Sequence, residues 1–324
     1  MKRRHHTVPK FYLARFADKR GQIIRVPLPG NEKSTVSVKD ASVVKNFYLL
    51  ETEEGVFTDA IEDALGQIEG AAASAFRAVV DDGQWPPTDE NRQAIALWAA
   101  AQHVRVPRIR QQGNEIADHI FKLQVAVGGK PQVRKVLEQA HGRKVTDEEV
   151  NEHWDEMTDF DSYRVSEHPN KHLRLIGDLM PRAAAHFFSR PWGLIRFERK
   201  SLITADDPVV LMRHPNSSPY DGVGLATAEA LVIPLDRRAA LVINNSSTGD
   251  DYNVSPNALL ANHINQMVIF NAHRAVFHHP EDAPLDRLAM PTPAENTMSI
   301  SGDPREFLMP NGWPSTSASS GGAS

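Results

Sequence analysis

The period of the apolar residues changes along this chain, and that change restricts the fold more than any single residue does. Between Asp59 and about Phe188 they recur at helical spacing, with Ile61, Leu65, Ile68, Ala72 and Val79 on one stripe. A second helix is expected from Thr88 toward Pro107, another after the capping-box pattern Thr146-Asp147-Glu148-Glu149, and a further one from His172 to Phe188. From Trp192 the runs shorten and become β-like: Trp192–Phe197, Leu202–Thr204, Val209–Met212, Ala230–Pro234 and Ala239–Asn244. Ahead of the helical block, Gln22–Leu28 and Ser34–Val38 alternate around the turn signal Pro29-Gly30-Asn31, and Phe47–Glu51 offers a further strand. Ser255-Pro256 reads as the start of a last helix reaching about Val276. Segregated helices and strands predict an α+β fold in which a helical middle packs with an amino-terminal strand/helix segment and a mainly antiparallel carboxy-terminal sheet. One domain is expected over residues 1–313, built from 1–57, 58–190 and 191–280, with a Ser- and Gly-rich tail, 314–324, expected to be disordered.

The segment from His5 to Phe16 is the densest in chemical information. Val8 precedes a proline and is pushed toward extended geometry, while Pro9 has the φ that suits the first position of a helix. In a helix from Pro9 to Phe16, Tyr12 and Phe16 share a face with Leu13 beside them. In the extended lead-in, His5 and His6 point to opposite sides, so one of the two faces inward and they cannot together ligate one metal.

Two later segments stand out beside this one. Gln102-His103-Val104-Arg105-Val106-Pro107-Arg108 closes the second helix, and Leu202-Ile203-Thr204-Ala205-Asp206-Asp207-Pro208 closes a strand. Together with His6, Val8, Pro9, Phe11, Tyr12, Leu13 and Phe16, they give the chain a resemblance to the large, mostly bacterial family known as domain of unknown function 4238. The family pattern is His-x-Val-Pro-x-Phe-Tyr-Leu-x-x-Phe, then Gln-x-x-Arg-x-Pro, then an apolar-Thr-Ser-Asp-Asn-Pro strand end. The chain departs at Asp207, where the family usually carries Asn; a position that donates through an amide would there have its requirement inverted. The resemblance implies no established activity.

Composition excludes several classes. Lys and Arg number 36 against 41 Asp and Glu, a formal charge of −5, which argues against a broad electrostatic nucleic-acid coat while permitting a local basic groove. With no cysteine there is no disulfide, zinc–thiolate site or cysteine nucleophile, so a metal would sit on His, Asp, Glu or carbonyl oxygen. No apolar run is long enough for a signal core or a membrane span, and a cytoplasmic location is expected. Phosphate-loop, dinucleotide and nucleophile-elbow fingerprints are absent. The His168/His172 spacing is interrupted by Pro169 and lacks the glutamate of a zinc helix; His278-His279 reads as a surface loop.

Candidate site residues follow from polar side chains where apolar ones are expected. The inward line of the second helix is Asn91, Ile95, Trp98, Gln102, Arg105 and Ile109, and a buried guanidinium needs a carboxylate or an anionic ligand. Pro107 is expected to bend this helix and redirect Arg108 and Arg110. Glu62 and Glu69 stack on one helix edge, either as partners of Arg105 or as a solvated flank, and Asp206 ends a strand, either facing a cleft or capping a turn. One reading is a phosphodiester hydrolase acting on RNA or DNA, a nuclease of the metal-assisted kind. In it His6, Glu62, Glu69 and Arg105 are catalytic, and Glu62, Glu69 and Asp206 hold a divalent cation such as Mg or Mn. Tyr12, Gln102 and Arg108 contact ligand. Another is a non-catalytic module that binds a nucleotide or a protein through Gln102 and Arg105, with His6 structural. A third makes the polar set a scaffold. No oligomeric state is specified by these residues.

Overall fold

Local signals set the element boundaries of the computed structural model, which describes residues 3–218, 222–245, 248–292, 303–308 and 311. The Ser- and Gly-rich tail, 314–324, lies outside the described residues. The described residues divide into two compact units, 3–109 with 169–292, and 110–168 with 303–308 and 311.

The first unit begins with β1 (Arg4–His6) and α1 (Lys10–Leu13), the latter preceded by Pro9 and continued by a 3-10 turn through Phe16. There follow β2 (Gln22–Pro27), β3 (Ser34–Ser37), β4 (Val43–Lys45), β5 (Leu50–Glu51) and β6 (Phe57–Thr58). Helix α2 spans Ala60–Phe76, and α3 spans Asp89–Val104 behind Thr88, whose hydroxyl accepts from the Asn91 N–H. Pro107 does not bend α3. The helix stops at Val104, Arg105 is its C-cap, and Pro107 opens a new helix, α4 (Pro107–His141), because a proline lacks the N–H that a first-turn position leaves unused.

The second unit holds most of α4 and α5 (Asp147–Thr158). Thr146 and Glu149 form the reciprocal capping box expected from sequence. Helix α4 is interrupted at Gly129, whose φ of 60° and ψ of −157° are not helical. Val125, Ala126, Val133, Leu137, Val145, Val150 and Phe160 make this unit's own apolar cluster.

The chain then returns to the first unit with α6 (Pro169–Phe188), β7 (Trp192–Arg196), β8 (Thr204–Ala205), β9 (Val210–Met212), β10 (Ala230–Pro234), β11 (Ala239–Asn244), β12 (Tyr252–Val254), α7 (Ala258–Asn271) and β13 (Ala275–His278). A five-stranded sheet runs β12-β7-β11-β10-β9, antiparallel except for β12 against β7; a four-stranded antiparallel sheet runs β3-β2-β13-β8. Two small antiparallel pairs, β1-β4 and β5-β6, complete an α+β fold. The last helix begins at Asn257, whose side chain accepts from the Leu260 N–H, not at Ser255. It ends at Asn271, and Val276 lies in a strand: β13 is an inner strand between β2 and β8, so its apolar run is extended and both its backbone edges are paired. His278 and His279 are consequently buried, not a surface loop.

Among the apolar clusters that fix this unit, two bear on the site. In one, Tyr12, Phe16, Phe76 and Trp98 meet, with ring centroids 4.9 Å apart for Tyr12–Trp98 and 4.8 Å for Phe76–Trp98, so α1 is pinned against α2 and α3. In the other, Ala261, Ile264, Val268 and Ile269 of α7 pack with Val26, Ala205, Val232 and Val276 from the sheets and with Ile203 just before β8. Among the described residues no helix is long and apolar enough to cross a membrane.

Candidate functional site

The three segments singled out in the sequence meet in the first unit. Tyr12, carried inward by α1, donates its hydroxyl to the Pro234 carbonyl (2.7 Å) and shares a 2.8 Å hydrogen bond with Thr204 Oγ1. Its side chain is fully buried, and burial drives the phenol far above its ordinary range, with the Thr204 bond opposing. Tyr12 is thus a strut between α1 and the strand end, with its polar atom already engaged.

The imidazole that the fold encloses is His5. Pairing of β1 with β4 sets the parity: His5 has no exposed surface, its Nδ1 accepts from the Tyr48 N–H (2.6 Å), and its ring stacks on Tyr48 at 5.5 Å. The acceptor role of Nδ1 places the proton on Nε2, an assignment inferred from the bond. His6, on the other side of the strand, is half-buried, with Nε2 3.0 Å from the Lys39 carbonyl.

Arg105 is buried, 1% exposed, and its guanidinium is shared out. Nη1 donates to Glu69 Oε1 at 2.9 Å; with the Gln102 amide oriented to satisfy its neighbours, its oxygen accepts from Arg105 Nε at 2.5 Å and Nη2 at 2.8 Å. The Tyr48 ring lies 6.0 Å from the same guanidinium. Gln102, three residues before Arg105, is therefore its internal acceptor, and the buried charge is offset by Glu69, whose side chain is 28% exposed. Glu62, seven residues earlier on α2, is half-buried and makes no hydrogen bond or ion pair among the described residues.

Asp206 is committed to backbone. Its carboxylate accepts the N–H groups of His273 (2.9 Å), Arg274 (2.8 Å) and Ala275 (3.3 Å), fastening the turn before β13 to the end of β8. Burial raises its pKa against the lowering effect of these donors. Two asparagines of α7 hold the same stretch: Asn265 bonds the Ile203 N–H and the Ser201 carbonyl, and Asn271 donates to the Asp207 and Val209 carbonyls.

With its backbone held in this way, Asp207 directs its carboxylate at Arg108. Oδ2 accepts from Nη2 at 2.5 Å; the acid is fully buried, whereas the arginine side chain keeps 27% of its surface exposed. Burial pushes the Asp207 carboxyl up to about 6; Arg108 and, more weakly, the nearby Asn271 amide oppose the shift, and Asp206 adds to it. His103, in the last turn of α3, is lowered to about 4, first by burial and then by the charge of Arg108. Three buried polar atoms in this group have no partner among the described residues: Asp207 Oδ1, Arg108 Nε and His103 Nδ1. Such atoms are uncommon in folded proteins and cost free energy unless something pairs with them.

The fold thus sorts the expected site residues into separate roles. Arg105, Gln102 and Glu69 form one closed network, Arg108 belongs to another that reaches solvent, and Tyr12 and Asp206 serve the scaffold. Among the described residues no three His, Asp or Glu side chains converge as metal ligands would. A cleft of about 680 Å³ lined by Leu50, Glu53, Ile61, Asn170, Arg174 and Asp178, and one of about 870 Å³ in the second unit lined by Phe121, Val127, Gln132 and Val136, include none of these residues. His103 was not singled out from the sequence, although it sits inside the Gln102–Arg108 segment; only the break between α3 and α4 brings its ring under the influence of Arg108.

No curated protein and no solved structure matches the chain. The segments joined here by Tyr12–Thr204 and Arg108–Asp207 are those on which the family resemblance rests, and the corresponding family model covers residues 4–282: the chain belongs to the family of proteins of unknown function DUF4238.

Proposed function

We propose that this protein is a binding module for a phosphate-bearing ligand of the nucleotide class, with Arg108 as the anion contact and Asp207 and His103 as the polar walls beside it. The supporting observation is the trio of unpartnered buried atoms on these residues, in a group that reaches solvent through Arg108. A guanidinium whose Nη2 is fixed on a carboxylate keeps its Nε–H aimed and pre-organised, which suits a phosphate oxygen.

Phosphodiester hydrolysis with a cation on Glu62, Glu69 and Asp206 asks more of the molecule. Asp206 would have to release three N–H donors and Glu69 would have to leave the buried Arg105. Binding at Arg108 disturbs neither.

The test is calorimetric titration of purified protein with nucleoside monophosphates in EDTA. Binding is expected without metal, and Arg108→Gln is expected to weaken it by about ten- to a hundredfold, the range for losing a hydrogen bond to a charged group. Absence of binding by folded wild-type protein contradicts the proposal. Cleavage of RNA or DNA that needs Mg or Mn and is lost in His6→Ala would instead favour the hydrolase.

A further inference from the structure

The unpartnered atoms differ in sign, and the difference specifies more than an anion. Arg108 Nε is a donor and can take a phosphate oxygen. Asp207 Oδ1 is a fully buried acceptor on the carboxylate whose other oxygen is already bonded to Arg108 Nη2. An ionised carboxylate has about four acceptor positions. Arg108 Nη2 holds the other oxygen; the Asn271 amide, which weakly lowers the Asp207 pKa, makes its hydrogen bonds to the Asp207 and Val209 carbonyls, and Oδ1 itself has no partner among the described residues. Neighbouring groups do not remedy the shortage: Asp206 is itself an acceptor, and the backbone donors of residues 273–275 are used by it.

A ligand that fits must therefore bring an anionic oxygen for Arg108 and, a short distance away, a hydrogen-bond donor for Asp207. Inorganic phosphate offers a donor only on the phosphorus itself, and a 2′-deoxynucleoside 3′-phosphate has none on the carbon beside the ester; neither sets a hydroxyl at that distance from the anionic oxygen. A ribonucleoside 3′-phosphate brings both, because its 2′-hydroxyl stands on the carbon adjacent to the ester, and a buried acceptor rejects an analogue lacking the matching hydroxyl. Resting on the reading of Arg108 as the anion contact, we infer that Asp207 is a specificity-determining residue that accepts the hydroxyl of a phosphate ester bearing that hydroxyl on the neighbouring carbon. The ribonucleoside 3′-phosphate is the representative. Arg108 serves both groups at once, Nη2 holding Asp207 in place and Nε meeting the phosphate.

The experiment is isothermal titration of the full chain near neutral pH with four probes: uridine 3′-monophosphate, 2′-deoxyuridine 3′-monophosphate, myo-inositol 1-phosphate and inorganic phosphate. Wild-type protein is expected to bind uridine 3′-monophosphate about ten- to a hundredfold tighter than its 2′-deoxy counterpart, the value of a hydrogen bond to a buried charged acceptor. In Asp207→Ala, checked for folding by circular dichroism, the ratio is expected to fall to near one; should that variant not fold, the wild-type ratio alone decides. Inositol phosphate binding as tightly as the ribonucleotide supports the hydroxyl–phosphate chemistry with a cyclitol as its source. Equal binding of the ribo and deoxy probes, or preference for deoxy, with loss of both in Arg108→Gln, overturns this inference and leaves the anion site standing. No binding of any probe overturns both.

Discussion

His103 and Asp207 answer to pH in opposite senses. An imidazole lowered from 6.5 to about 4 stays neutral in the folded chain while the unfolded chain takes up a proton, so its contribution to stability is complete above 6.5 and is lost as pH falls toward 4. A carboxyl raised from 3.8 to about 6 stays protonated in the folded chain while the unfolded one ionises, so stability is lost as pH rises from 3.8 to 6. Each shift corresponds to about 3 kcal/mol, and the two slopes largely cancel. Urea unfolding between pH 4 and 6.5 should show it: Asp207→Asn should become more stable as pH rises, and His103→Gln less stable. Parallel slopes in both variants would contradict the assignment. Arg105 behaves differently, since its partners are internal. Arg105→Ala leaves Gln102 and Glu69 without their donor and should cost about 3–5 kcal/mol in chemical denaturation, the range for breaking a buried pair; a loss below about 1 kcal/mol would show the network to be dispensable. The position of Arg105 and its need for a carboxylate were legible from helical spacing. The identity of the enclosed imidazole was not: a period of two says that His5 and His6 face opposite ways, and only the β1–β4 pairing says which is inside.

At the scale of elements, Gly129 is the most demanding position. Its φ of 60° with ψ of −157° belongs to a region open to glycine almost alone, and it divides α4 into two helical arms. Gly129→Ala should destabilise the second unit by about 1–3 kcal/mol, read as faster amide exchange in segments around Val125, Val133 and Val150; unchanged exchange would mean the break is not required. Most helices and the strands β2, β3, β7, β9, β10 and β11 were legible because their periods and caps are strong. Three features were hidden. Pro107 is equally compatible with a kink and a helix start, and the first-turn position decided it. Val276 continues an apolar run begun in α7, so the passage from helix to β13 carries no break in hydrophobicity. The strand β12 is three residues long and, among the described residues, pairs on one side only, with β7.

For the whole molecule, the amino-terminal segment, the end of α3 with the start of α4, and the β8 region are tied by long-range hydrogen bonds, Tyr12 to Thr204 and Arg108 to Asp207, while their polar side chains fall into separate networks. That the three segments matter together could be read from their residues. Which side chains are spent on the scaffold could not, because it depends on donors such as the N–H groups of residues 273–275 and the α7 asparagines, whose partners lie some sixty residues away in the chain. The sequence directed attention to His6, Glu62 and Asp206 as well as to Arg108, and folding groups unpartnered buried atoms of Arg108 with those of His103 and Asp207, which were not site candidates. The most direct measurement is a crystal structure of the protein soaked with uridine 3′-monophosphate. Phosphate density within hydrogen-bond distance of Arg108 Nε, with the ribose hydroxyl against Asp207 Oδ1, is the predicted result; density only elsewhere, with ordered water filling the three unpartnered positions, would contradict the account.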